Sequence, residues 1–205
     1  MISFESDYNN GMLPEIIENL SKTNDDKTSG YGFDPYSESA KKKIRKAIGN
    51  EEADVYFLIG GTQTNTTVID SLHLGCEGVI CVETGHIEVH ESGAVEAFGH
   101  KVLTIPSADR KLKAADLADY METFLGDETH PHMVQPGMVY ISLPTELGMV
   151  YTQQELADIY ATCQNLLRSF SISQTQNHCC KKILPFLTTF LTSFFTSFLT
   201  YAINK

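Results

Sequence analysis

The residues best suited to chemistry lie in two short loops. Gly60-Gly61-Thr62-Gln63-Thr64-Asn65 follows an apolar run, Asp54 to Ile59, and leads into a segment of helical pattern. Glycines let a ligand approach the backbone closely. The first turn of a helix offers unpaired N–H groups and the positive end of its dipole, which suits a phosphate. Thr62 adds a hydroxyl donor. The plainer reading of the same residues is a tight turn with Thr62 or a neighbour as N-cap, and glycine motifs this short have low specificity.

The second loop is Glu83-Thr84-Gly85-His86-Ile87-Glu88-Val89-His90-Glu91, again after an apolar run. His86 and His90 are four apart and share a face of any helix that starts this early. Their spacing is His-x-Glu-x-His, which differs from the His-Glu-x-x-His of zinc proteases. Nothing in the sequence brings His130 and His132 near them as further ligands, so no metal site is expected. An imidazole at the carboxyl end of a strand can instead stack on an aromatic cofactor or move protons.

These loops need a frame that holds them at one edge of a sheet. Pro14 to Leu20 has a helical start with proline in the first turn. Ser37 to Ile48 predicts a second helix, stopped by Gly49-Asn50. Strands are expected at Asp54–Ile59, Gly78–Val82, Lys101–Ile105 and Met138–Leu143, the first of them buried. Helices are expected at Thr62–Leu74, about His90–Phe98, Ala114–Leu125 and Thr152–Leu167, the last opened by a Thr152-x-x-Glu155 capping box. Alternation of apolar strands with helices predicts an α/β fold with a mostly parallel sheet between helices. In such sheets ligands bind at the carboxyl ends of the strands, which points to the loops after Ile59, Val82 and Leu143.

Composition fits this frame. The chain has 205 residues, 42% hydrophobic and 20% charged, with a net charge of -11. An acidic surface argues against nonspecific nucleic-acid binding, which needs clustered Lys and Arg. The basic run Lys41 to Lys46 reads as the wet face of a helix. Five cysteines without a Cys-x-x-Cys spacing exclude a disulfide framework. With no signal-peptide pattern at the start, a cytoplasmic setting is expected.

The rhythm fails after Arg168. Ser169 to Cys180 is polar and reads as unpatterned, and residues 183–203 carry no charge. Phe186 to Tyr201 repeats a four-residue unit built on Phe, Leu and Thr, a low-complexity pattern expected to stand apart from the sheet. The expected division is therefore 1–167, a partial domain, and 168–205, an unrelated tail. The uncharged run also has the length of a membrane-spanning helix, though five Thr, two Ser and Pro185 weaken it. A tail-anchored membrane protein is one alternative.

In order along the chain, Phe4-Glu5-Ser6-Asp7, Tyr31-Gly32-Phe33-Asp34, Gly60 to Asn65, His86-Ile87 with His90 to Ala94, Gly99-His100-Lys101-Val102 and Pro144-Thr145-Glu146 resemble the L-threonine aldolase branch of the β-eliminating lyases. The resemblance covers about Ile2 to Leu167 and only the front part of a full family member. It implies the front of a fold type I, aspartate-aminotransferase-like large domain. It also implies a pyridoxal phosphate-dependent carbon–carbon lyase that cleaves threonine-like β-hydroxy-α-amino acids to glycine and an aldehyde, within a homo-oligomer. By the same resemblance Gly61 and Thr62 hold the cofactor phosphate and Asn65 supports the loop. His86 stacks on the pyridine ring and assists proton transfer. Ser6 contacts the substrate carboxylate, and Tyr31 lies near the site, in its own or a neighbouring subunit. Pyridoxal phosphate serves as the electron sink, and a lysine must carry it.

Two departures follow. Glu146 stands where many threonine aldolases have histidine, as a substitute base, a sign of other substrates or an ordinary loop carboxylate. The Asp-Gly-Ala-Arg-like segment and the cofactor lysine do not appear. Lys181, Lys182 and Lys205 lie in or beside the tail without the expected context. The expectation is a product truncated or frameshifted near Leu166 and without aldolase turnover. A noncatalytic remnant, or partner of a full-length relative, is the other alternative.

Overall fold

The computed structural model describes residues 11–166, 169–174, 186–191 and 198–203. Two helices come first, α1 (Pro14–Thr23) and α2 (Pro35–Ile48). Both carry proline in the first turn. Asp34 caps α2 by accepting from the Ser37 N–H, and Gly49 ends it in the left-handed region at φ 70, where a missing Cβ removes the steric cost. The strands β1 (Asp54–Leu58), β2 (Glu77–Val82), β3 (Val102–Ile105) and β4 (Gln135–Leu143) alternate with helices α3 (Gly61–Leu72), α4 (His86–Val89), α5 (Ala94–Ala97) and α6 (Ala114–Gly126). α7 (Gln153–Leu166) follows β4. β5 (Ser169–Gln174), β6 (Phe186–Leu191) and β7 (Phe198–Ile203) complete the sheet.

The strand order is β1-β7-β6-β5-β4-β2-β3. β7 runs antiparallel to both neighbours, β1 and β6. The pairings from β6 through β5, β4 and β2 to β3 are all parallel. The mostly parallel α/β sheet expected from the sequence is therefore present.

Successive side chains point to opposite faces of a strand, and β2 and β4 use both. Ile80, Val82, Val139, Ile141 and Leu143 pack with Leu117 and Met121 of α6 and Leu156 and Ile159 of α7. Val79, Cys81, Met138 and Tyr140 face the other way, onto Ile69 of α3, Ile87 of α4 and Val95 of α5. β2 is buried along its whole length. Its near-unbroken apolar sequence is what a strand covered on both faces requires.

The structure corrects three sequence expectations. The first strand is only partly buried: Val55 is in the core, but Tyr56 and Ile59 are 51% and 72% exposed, and β1 lies at the edge of the sheet. The helix expected around His90–Phe98 is two single turns, α4 and α5, parted by Ser92 and Gly93 at φ 54 and 72. The segment expected to stand apart from the sheet supplies three strands between β1 and β4. The physical reason is legible in hindsight. Ser169–Gln174 alternates Ser with Phe170 and Ile172, a period of two, and Phe and Thr both favour extended backbone. Residues 183–203 are described only in part, and the described stretches are strands. Among the described residues no helix is long and apolar enough to cross a membrane.

Candidate active site

The β1-to-α3 turn is opened by Gly60, whose extended backbone (φ -160) serves as N-cap without a side-chain bond. The first helical bond runs from the Thr64 N–H to the Gly60 C=O, so the amides of Gly61, Thr62 and Gln63 precede the hydrogen-bonded ladder. Thr64 and Thr66 turn their hydroxyls back onto Gly60 C=O and Thr62 C=O, while Thr62 is exposed. The Gln63 side chain reaches back to accept from the Ile59 N–H at 3.0 Å, which fixes the entry into the helix. One turn on, Asn65 is buried at 3% exposure.

At the end of β2, Gly85 makes the turn into α4. A Cβ there would stand 3.0 Å from Cys81 Sγ and 3.0 Å from Val82 O. Glycine lets the chain fold this tightly against the strand without displacing it. The turn sets His86 at the first position of α4, with its side chain 43% exposed. The expected sharing of a face with His90 holds: the two rings lie 5.5 Å apart between centroids. Among the described residues no three His, Cys, Asp or Glu side chains converge as a metal site.

One carboxylate joins the two loops. Glu91 has a fully buried side chain. Its Oε1 lies 2.8 Å from His86 Nδ1 and accepts from Asn65 Nδ2 at 2.5 Å. The other oxygen, Oε2, is buried without a hydrogen-bond partner among the described residues, as is Thr84 Oγ1 in the preceding turn. The chain of contacts continues across β4. Asn65 Nδ2 is 3.4 Å from Tyr140 Oη, Ser142 Oγ is 3.5 Å from that same oxygen, and Ser142 Oγ donates to Glu146 Oε1 at 2.5 Å. The 3.4 and 3.5 Å links are long for hydrogen bonds. The Asn65, Glu91 and Ser142 contacts at either end are short.

Gly61, Thr62, Asn65, His86 and Glu146 are thus gathered by this network or stand within one helical turn of it. Tyr31 is not: it is 99% exposed at φ 63 before α2. Ser6 lies outside the described residues, as do Lys181, Lys182 and Lys205. His100 of the Gly99-His100 motif is elsewhere, its Nδ1 3.1 Å from the Glu77 C=O and its Nε2 3.2 Å from Asp70 Oδ1. Glu77 opens β2, so His100 sits at the opposite end of that strand from His86. His130 bonds locally to the Asp127 C=O, and His132 is exposed.

Sequence reasoning missed Glu91, Tyr140 and Ser142. Glu91 stood in a quoted motif, but its partner Asn65 is 26 positions away. The usable signal was parity: Tyr140 and Ser142 are polar members of an apolar strand, on the face that also carries Met138.

The sequence pattern of the family described as "Beta-eliminating lyase" matches residues 3–167. The low specificity L-threonine aldolase of a Pseudomonas species is 34% identical over 165 residues, 80% of this chain and 46% of that protein. The enzyme of the same name from Pseudomonas aeruginosa is 32% identical over the same shares. The chain spans about half the length of these curated relatives, 46%. Among solved structures, the threonine aldolase of Leishmania major superposes with a TM-score of 0.89 at 33% identity, covering 99% of this chain and 62% of that one. The aspartate aminotransferase of Thermus thermophilus superposes with a TM-score of 0.71 at 12% identity, over 96% of this chain and 54% of that one. This second likeness shows the fold, that of the aspartate-aminotransferase-like enzymes.

Proposed function

The chain belongs to the beta-eliminating lyase family, and from that membership we propose that it forms the phosphate-and-ring half of a pyridoxal phosphate site in a threonine aldolase-type carbon–carbon lyase. Its substrate in this reading is a threonine-like β-hydroxy-α-amino acid, and residues 3–167 carry the site. The observation that carries the reading is the shared oxygen of Glu91, which links the start of α3 to the imidazole of His86.

The donor set fits such a cofactor at two of its ends. Among the described residues nothing lies within 4 Å of where a Gly60 Cβ would stand, just before α3. The amides of Gly61 and Thr62 and the Thr62 hydroxyl are donors suited to a phosphate. The His86 ring, half-exposed and pinned at Nδ1, offers a flat face to an aromatic ring. The lysine that would carry the cofactor covalently is not identified among the described residues. Lys111, the most buried of those lysines, is held by Glu155 Oε1 at 2.5 Å and by the Val150 C=O at 3.3 Å.

When bound, pyridoxal phosphate supplies an electron sink for the carbanion left by carbon–carbon cleavage. The protein's own residues bind, orient and move protons. Gly61, Thr62 and the dipole of α3 anchor the phosphate, and Asn65 holds the helix start to Glu91. In this reading Glu146, which accepts from Ser142 at Oε1, takes the proton of a substrate β-hydroxyl. Tyr31, exposed in one protomer, serves the site of a second copy in a homo-oligomer, and Ser6 contacts the substrate carboxylate.

Titration of the protein with pyridoxal phosphate, followed by near-ultraviolet absorbance, tests this. Saturable binding weakened about tenfold by Thr62→Ala is expected, the worth of one hydrogen bond to a charged group. No saturable binding, or binding that neither Thr62→Ala nor His86→Ala changes, would overturn the assignment. Borohydride reduction with peptide mapping is expected to label no lysine, and threonine to yield no glycine with this chain alone. A labelled Lys181 or Lys182 would reverse both expectations.

A further inference from the structure

We propose that Glu91 is a positioning residue: it holds His86 in the tautomer with the proton on Nδ1, so that Nε2 carries the lone pair. The inference rests on the reading in which His86 faces the cofactor ring, and adds the group that fixes how it does so. An imidazole in water favours the proton on Nε2, so the opposite tautomer must be imposed.

The geometry imposes it. The Asn65 amide nitrogen has only hydrogens to give, so Glu91 Oε1 is an acceptor in that contact, at 2.5 Å. His86 Nδ1 faces the same oxygen at 2.8 Å. An ionised carboxylate has only lone pairs, so Nδ1 must be the atom that carries hydrogen. The carboxylate cannot turn to water for relief, because its side chain is fully buried while that of His86 is 43% exposed. Its other oxygen has no partner among the described residues, so both donors converge on one atom. The backbone holds this in place. Gly93 adopts φ 72 directly after the left-handed Ser92, and this pair of residues turns the chain at the end of the α4 segment, beside Glu91.

Such a contact defines what His86 can do. The tautomer leaves Nε2 as an acceptor for a proton or a donor group, and Nδ1–H locked to Glu91 fixes the ring plane. A carboxylate on a histidine's second nitrogen is a general means of setting tautomer and orientation.

Long-range proton–nitrogen correlation spectra of the protein labelled with nitrogen-15 histidine read the tautomer directly. They are recorded at about pH 8.5, where an unperturbed imidazole is neutral, and His86 is assigned by the signal lost in His86→Gln. The Nδ1–H form is expected in at least about tenfold excess, as befits a hydrogen bond to a charged acceptor. Glu91→Ala should reverse the preference toward Nε2–H. Glu91→Gln, whose side-chain carbonyl still accepts from both donors, should retain Nδ1–H and folds even if the alanine variant does not. A wild-type His86 with its proton on Nε2, or an Nδ1–H form lost in Glu91→Gln while its circular dichroism is unchanged, would overturn the proposal. Pyridoxal phosphate binding is measured in parallel. Absence of binding with the Nδ1–H form intact would end the cofactor reading and leave the Glu91–His86 relationship standing.

Discussion

Asn65 donates to Glu91 at 2.5 Å across 26 positions of chain, and this one contact ties the second turn of α3 to the segment after β2. Both residues are buried, at 3% and 4% exposure. A charged group buried this far is tolerated only when its hydrogen bonds are made.

Asn65→Ala should therefore cost more than an ordinary hydrogen bond. It removes a donor from a buried carboxylate whose second oxygen has no partner among the described residues. Destabilisation of about 1.5–3 kcal/mol is expected, the range for bonds to charged groups, and the urea midpoint measures it. Asn65→Asp should cost more still at neutral pH, because two carboxylates would then share the space. Equal stability of Asn65→Ala and the parent would show that the carboxylate finds water instead.

Gly85→Ala tests the turn that presents His86. A methyl group 3.0 Å from both Cys81 Sγ and Val82 O would press on a buried strand, which would have to shift by a few tenths of an ångström. Overpacking of this kind costs about 1–3 kcal/mol. The expected result is a lower urea midpoint together with a shifted His86 ring signal. Gly60→Ala is the control: its Cβ enters open space and its backbone is extended, so stability should change by under about 0.5 kcal/mol.

The start of α7 should be an acid-sensitive lock. The Lys111 ammonium, and after it the Thr152 N–H, hold the Glu155 carboxyl down to about 2 from an ordinary 4.5. Thr152 and Glu155 form the expected reciprocal capping box, with Thr152 N–H to Glu155 Oε2 at 2.7 Å and Glu155 N–H to Thr152 Oγ1 at 3.2 Å. The folded-state value lies below the unfolded one. The contribution is therefore fully present above about pH 4.5 and is lost as pH falls toward about 2. Glu155→Gln should flatten the fall in stability over that window, as read from urea midpoints at successive pH values. Because the carboxylate is 39% exposed, solvent screens the effect and it should be modest.

Thiol labelling separates the cysteines by burial. Cys76 is exposed, whereas Cys81 and Cys163 are buried. Burial pushes the Cys163 thiol up to about 12 and raises that of Cys81 as well. In the folded protein at pH 8, iodoacetamide should alkylate Cys76 and leave Cys81 and Cys163 unmodified until denaturant is added. Peptide mass spectrometry reads this, and early labelling of Cys163 would mean that α7 does not pack on the sheet as described.

The sequence by itself determined the local pieces. Pro14 marked the start of α1 and Gly49 the end of α2, and the near-unbroken apolar run of β2 announced a strand covered on both faces. Thr152 and Glu155 announced the cap of α7. Gly61, Thr62 and His86 were legible as candidate site residues because their loops follow strands at the carboxyl end and match the family resemblance. These signals act over a few residues, through backbone preference and side-chain period.

Only the tertiary structure decided the rest. The edge position of β1, and with it the exposure of Tyr56 and Ile59, depends on which strands pair. Pairing of residues 169–174, 186–191 and 198–203 into the sheet depends on unpaired backbone at β4 and β1 that a window of sequence does not contain. Glu91 joined the candidate site only when folding brought Asn65 and His86 to the same oxygen. A buried charge takes its meaning from the donors around it, and those donors come from distant parts of the chain.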